Sequence, residues 1–549
     1  MRRRPAPRTP AAAAGPRRSQ LSAADPERGA ALLMVLGTLM VISLVLLATL
    51  AYAVQTATPT RRDQDAKTAL AAAQAGIDEY VSRLTANDNY WQLGDTDTTN
   101  LAFGAGATIP GTGSSGAKFT YHLLSTAATT ASDGVIRLQS TGTSSPGSHD
   151  AVSRTMIATL QVRGFLSYVY LSDVEVVDPS ILGNPAACAN YYYAGRDVTA
   201  GCNNIQWAGG DTVHGPLHSN DALQINGAVN FTDARTESSW PALNGSASAK
   251  TWWGTQAPPL ANHAPVYAAA VSLPVGNATL LQYVSPDVDG SAATPAGPGC
   301  YYQGATEFVF NGTSMNVRSP MTSRADTPAR CLNYVNRANW QTITPIPPVI
   351  YVDAATSGAC VTGNTAAFTY PEAGNSYAAG ASTAVSWGDS PNYNCMRGSA
   401  YVRGQASSLL TVAAADDVVI TGDITLDSLT GSTVIGLVAG NCVWVHHPVD
   451  NWGNNLLGTP PTTIQAAILA LRHSFLVENW SQGNPLGTLN VTGAIAQKFR
   501  GAVGTGNAYG VSTGYSKNYV YDSRLTYVQP PYFLKPTSTP WKVTSVVDK

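Results

Sequence analysis

The chain has 549 residues, enough for two or three domains, and a formal net charge of -2. Charged residues make up only 12% of it. No broad basic face is implied, which argues against a nucleic-acid partner.

Residues 1–29 hold Arg2, Arg3, Arg4, Arg8, Arg17, Arg18 and Arg28 among Pro and Ala, with only Asp25 and Glu27 opposing them. This leader cannot bury a core. From Ala30 to Val54 no residue is charged, and the run is long enough to cross the roughly 30 Å hydrocarbon layer as a helix. The Arg-rich leader predicts a cytoplasmic N-terminus and an outward-facing C-terminal part. A cleaved signal peptide is the competing reading, but the apolar run is long for one and TLAYAV makes a poor cleavage site.

Beyond Pro59, a possible kink, and Arg61 and Arg62, helical spacing returns in Ala66, Leu70, Ala73, Ile77, Tyr80, Val81 and Leu84. Residues 55–87 therefore read as an amphipathic continuation of the apolar helix, with a stripe ready to pack on a sheet. Three strand candidates follow at 117–125, 134–142 and 152–163, inside a small β-meander spanning 88–170. The stretch from Gly164 to Pro179 reads as a bridge to a larger body.

The leader ending in Gly29, the apolar helix beginning ERGAALLMVLG and the stretch AAAQAGIDEYVSRL together resemble type IV prepilins. The match is greatest to PilX-type minor pilins and is similar to the K-type minor pseudopilins of type II secretion. It covers about residues 25–165. The resemblance implies cleavage by a prepilin peptidase between Gly29 and Ala30. It also implies other pilin-like subunits as partners, with Leu33, Val35, Leu39 and Ile42 packing on like helices. The chain departs from the family at one place. Most pilins have Glu as the fifth mature residue, where Met34 stands here, so one assembly contact is missing and a tip or initiating role fits better than a place along a shaft.

Residues 171–515 form the body. Three segments in it are alike: LQINGAVNF (223–231), VVITGDITL (418–426) and LNVTGAIAQ (489–497). Their apolar residues keep one alternating phase through the Gly, so a strand that bends at Gly and continues fits better than a hairpin. That predicts an irregular β-solenoid with Leu223, Ile225, Val418, Ile420, Leu489 and Val491 inside, a β-sandwich being the alternative. The surrounding stretches GPLHSNDALQING and VIGLVAGNCVWVHHP resemble β-helical outer domains carried on PilX-like anchors in high-GC bacteria, which implies location and architecture but no activity. Residues 516–549 read as an extended C-terminal segment.

Seven cysteines lie beyond residue 187. Close sequential neighbours suggest the pairs Cys188–Cys202, Cys300–Cys331 and Cys360–Cys395, with Cys442 left over, as expected of a protein exposed to an oxidising compartment. No CxxC or zinc-finger spacing occurs, and no metal or other cofactor is expected. His214 and His218 have a metal-like spacing, but Gly215 and Pro216 forbid a helix between them, leaving turn residues bonded to backbone as the default. His446 and His447 follow a strand and are expected on opposite faces. Asp416 and Asp417 could serve a polysaccharide-active enzyme, although a solvated turn is the commoner role. Tyr191, Tyr192 and Tyr193 could stack on sugar or pack a loop.

The sequence thus reads as a single-pass, non-enzymatic surface protein, pilus-associated, with surface polysaccharide as a further possible partner. A carbohydrate-binding adhesin outside any filament and a polysaccharide-active enzyme are the other readings.

Overall fold

The computed structural model describes residues 27–549 except 88–89, 110–115, 149, 163, 183–185, 193–195, 197–201, 203, 209–210, 227–228, 240–251, 255–264, 285–296, 323–329, 357–393, 451, 508–509, 527 and 537–540. The chain is mainly β, with one long N-terminal helix, α1, over Glu27–Ala86. At 1.5 Å per residue this helix is about 90 Å long. It is continuous across Pro59.

Its two halves meet different surroundings. Ala31–Tyr52 is apolar, long enough to cross a membrane, and covered by nothing among the described residues. The second half buries Ala69, Ala72, Ala73, Ile77, Tyr80 and Leu84. Leu70, expected in the stripe, is 37% exposed. The contact is too close for it: small residues face the sheet at that level, and Ser140 Oγ donates to the Ala73 carbonyl at 2.7 Å. A Cβ on Gly142 would stand 2.1 Å from the Ala69 carbonyl oxygen, so helix and sheet approach backbone to backbone there.

The sheet beneath is antiparallel, in the order Ala107–Thr108, Lys118–Leu123, Val135–Thr143, Ser153–Val162, Trp541–Asp548. Phe119, Tyr121, Ile136, Leu138, Ala158 and Leu160 meet the helix from its inner face. The last strand is a correction. Residues 516–549 are not one extended tail: Gly510–Tyr521 belongs to the body, and Trp541–Asp548 returns to complete the small sheet.

The body is mostly a set of parallel ladders, with antiparallel pairs where Thr306–Gly312 meets Ser314–Arg318, where the latter meets Gln341–Ile343, and where Gly504–Asn507 meets Gly510–Tyr521. The first ladder runs unbroken through ten strands, with Cys300, Ile350, Val412, Leu437, Ile468, Ile495, Tyr170, Leu217 and Thr236 in one file, and Val266–Tyr267 pairing beyond them. A second ladder aligns Phe308, Val402, Ile420, Val445 and Val477. A third aligns Phe310, Gly404, Ile424, Ile464, Val491, Tyr519, Val213 and Phe231. A short set pairs Trp207 with Ile225 and Leu223 with Trp252. The inward residues of all these ladders form one core.

The first ladder is also covered outside, by Leu280, Leu525 and Phe533 among others. That explains continuous apolar runs such as IGLVA and LTVAA, since a parallel strand buried on both faces has no polar side to alternate.

The order of strands in space is not the order in the chain. The body begins at Tyr170, in the middle of the first ladder, and its early strands extend one way to Tyr267. Cys300 then starts at the other end, and the later strands return until Ile495 pairs with Tyr170 and Tyr519 with Val213.

Leu223, Ile225, Val418, Ile420, Leu489 and Val491 are all buried. In the second similar segment the strand Val418–Leu426 passes from the second ladder to the third through Gly422. In the third segment the strand passes from the third ladder to the first through Gly493, whose φ is +154°. The similarity therefore marks a kind of bend between ladders and not one fixed position among them. The equivalent bend in the first segment, at Gly227, lies outside the described residues.

Candidate functional site

The Gly29–Ala30 bond lies within α1. Met34, in the fifth place after that bond, is 73% exposed.

Two disulfides join Cys188 to Cys202 and Cys300 to Cys331, each with 5.5 Å between Cα atoms. Cys395 is also disulfide-bonded. Cys360 lies outside the described residues. Such crosslinks form and persist chiefly in oxidising compartments. Cys442 is a free, buried thiol, pushed well above its ordinary pKa by burial and by the nearby Asp417.

Beyond these features the densest polar chemistry lies at the C-terminal ends of the first-ladder strands. Asp416 accepts from Arg397 Nη2 at 2.6 Å, the Gly398 N–H at 2.9 Å and Asn441 Nδ2 at 3.0 Å. Asp417 accepts from the Cys442 N–H at 3.0 Å, and burial raises its pKa against that bond. The two acids are not a solvated turn: they tie together the loops that follow neighbouring strands. Farther along the file, Arg500 Nη1 lies 2.8 Å from Glu175 Oε2, with both side chains buried. Lys498 pairs with Asp173, and His473 Nδ1 lies 2.5 Å from Asp178 Oδ2. Arg196 Nη2 lies 2.6 Å from Asp221 Oδ2, and Asp221 also accepts the Glu175 and Tyr192 N–H groups. Burial raises the pKa of Asp221 against the pull of Arg196.

Arg500, Lys498 and their acids sit where the strand Pro485–Phe499 meets the first strand of the body, Tyr170–Val174, Phe499 pairing with Val174. Arg500 also lies 4.0 Å from the centre of the Trp207 ring. Sequence reading missed these residues. Asp173, Glu175 and Asp178 stand in a recognisable acidic stretch, but their cations lie about 300 residues away, and only the ladder topology brings them together.

His446 and His447 direct their rings to different groups. His446 Nδ1 lies 2.8 Å from Glu478 Oε2. The His447 ring lies 3.0 Å from the Glu478 carbonyl oxygen through Nδ1 and 2.9 Å from Asn455 Oδ1 through Nε2, while its backbone N–H donates to Glu478 Oε2 at 3.1 Å. His214 and His218 belong to different ladders, separated at Gly215, where φ is +137°. His214 is exposed, and His218 is fully buried, 2.9 Å from Asn220 Oδ1 and 3.3 Å from Glu237 Oε2. His218 is therefore held by side chains, not by turn backbone. Among the described residues, no group of three His, Cys, Asp or Glu side chains is placed to hold a metal ion.

The Tyr192 ring stacks on Trp253, with centroids 4.5 Å apart and planes 9° from parallel. Tyr191 donates from its hydroxyl to Asp173 at 2.6 Å and is a packing residue. Tyr193 lies outside the described residues.

No protein-family model matches the chain, and no curated protein or solved structure matches it.

Proposed function

We propose that this protein is a single-pass, pilin-like surface protein whose body is an irregular β-solenoid and which acts by assembly and contact. One observation carries the reading: a single helix whose first half is apolar and uncovered, and whose second half packs on a small antiparallel sheet. A helix of that kind has one half to give to lipid or to like helices and one half to hold an outer domain. The three parallel ladders, sharing one core and bending at glycines, support the solenoid. Two disulfides support an outward location for it.

On this reading the membrane, a prepilin peptidase and other pilin-like subunits are the partners. The bulk of the body argues for the tip of a filament over its shaft, where neighbouring subunits leave little free volume. The acids of the corner file each hold a cation or a backbone N–H, which suits joining coils better than waiting for a substrate proton.

Protease shaving of intact cells tests the location. The body should be released while residues 30–54 stay in the membrane fraction, and a body protected in intact cells would overturn the reading. A second reading, a carbohydrate-binding adhesin outside any filament, is supported by the half-buried Tyr192–Trp253 ring pair. Recovery of the protein with sheared filaments would favour the first reading.

A further inference from the structure

We propose that the neck between the small sheet and the body is a binding site for an acidic sugar. The chain passes this neck twice, inward through the turn Phe165–Ser167 and outward after the turn Ser523–Thr526. Tyr521 fastens the two passes by donating from its hydroxyl to the Leu166 carbonyl at 2.7 Å. Between them lies a cleft of about 280 Å³. That is at the small end for small-molecule sites, which start near about 300 Å³, and it suits one sugar ring better than a long chain.

The lining has two chemistries. Phe165, Leu166, Leu525 and Leu534 give it apolar surface. Arg235, Lys535 and Lys542 give it positive charge, and Gln161, Gln529 and Thr526 give it neutral hydrogen-bonding groups. Among the described residues no carboxylate lines it. Asp233 does approach Arg235 from outside the cleft, at 3.5 Å, and offsets part of one charge. Lys535 is held with its Nζ 4.6 Å from the Trp541 ring centre and 5.5 Å from that of Trp91.

Three cations gathered in a chain with so few charges call for an anion. Inorganic phosphate would use the cations and leave the apolar surface idle. A fatty acid would leave the two amides without partners, which is costly once they are covered. A sugar carboxylate answers both, laying its C–H face on the apolar residues, its carboxylate among the cations and its hydroxyls toward Gln161, Gln529 and Thr526. The site does not depend on whether α1 enters a filament. Because Gln161 and Lys542 belong to the small sheet and Arg235 and Leu525 to the body, an occupant would tie the two together.

Calorimetric titration of the detergent-solubilised full chain with glucuronate, glucose and inorganic phosphate tests this. Saturable one-to-one binding of glucuronate is expected, at least about tenfold tighter than phosphate, with none of glucose. Arg235→Gln and Lys542→Gln change exposed side chains and should leave the melting temperature of the free protein unchanged. Each should weaken glucuronate binding about tenfold, the usual effect of losing one charge-assisted bond. Absence of saturable glucuronate binding overturns the proposal. So does phosphate or glucose binding as well as glucuronate, or unchanged affinity in both variants.

Discussion

Asp416 and Asp417 are neighbours in sequence and differ in what surrounds them. Asp416 shares its charge with Arg397, whereas Asp417 is buried and has chiefly the Cys442 N–H. Burial raises the folded pKa of Asp417 above its unfolded value of about 3.9. The folded state therefore takes up this proton more readily. The resulting stability is full below the unfolded pKa and is lost as pH rises through the folded one. Asp417→Asn keeps an acceptor for the Cys442 N–H and removes the buried charge. Denaturant titrations across pH should show that the variant lacks this fall and equals or exceeds the parent at neutral pH. A variant less stable at neutral pH, with the parent's pH dependence intact, would show that the charge itself is needed. Arg500 poses the opposite case. Arg500→Met leaves Glu175 buried without its cation and should cost about 3–5 kcal/mol. Adding Glu175→Gln should recover part of that in the same unfolding measurement.

At the scale of elements, the sequence was most legible where a local rule governs. The alternating phase through Gly422 and Gly493 revealed strands that bend and continue, and all six residues expected inside are buried. The glycines themselves are not equivalent. At Gly493, with φ of +154°, a Cβ would stand 2.0 Å from the Ala466 carbonyl oxygen. At Gly422 it would stand 3.2 Å from Arg403 Cβ, a tight contact that a shift of a few tenths of an ångström relieves, and no carbonyl stands in its way. Gly493→Ala should therefore cost about 1–3 kcal/mol or more, and Gly422→Ala less than about 1 kcal/mol. Equal losses on thermal unfolding would contradict the corner assignment. Serine at both Cys300 and Cys331 should cost about 3–4 kcal/mol for the loop they close. Where the partner is remote, the sequence was opaque. Trp541–Asp548 is exposed along all but its first residue, so no apolar alternation announces a strand. Its neighbour, Ser153–Val162, lies nearly 400 residues earlier. The corner file was hidden for the same reason.

For the whole molecule, the consequence is that the body is inserted in the unit made by α1 and the small sheet, which the chain leaves after Val162 and rejoins at Trp541. A truncation after residue 170 would remove the body and also the strand Trp541–Asp548, leaving Ser153–Val162 as a bare edge. An excision that joins residue 164 to residue 537 through a short linker should keep the small sheet intact. Circular dichroism and limited proteolysis should find the excised form more protected than the truncated one. Surface contact, on the account given, should be lost in both, since both lack the body.

The pilin-like reading rests on α1 and on what is done to its N-terminus. The most direct measurement is N-terminal sequencing of the protein extracted from membranes, alongside Gly29→Val. The parent chain should begin at Ala30, and the variant should keep Met1. A parent chain that keeps Met1 would contradict pilin-like processing and leave a plain anchor, and one that begins beyond Val54 would contradict anchoring itself.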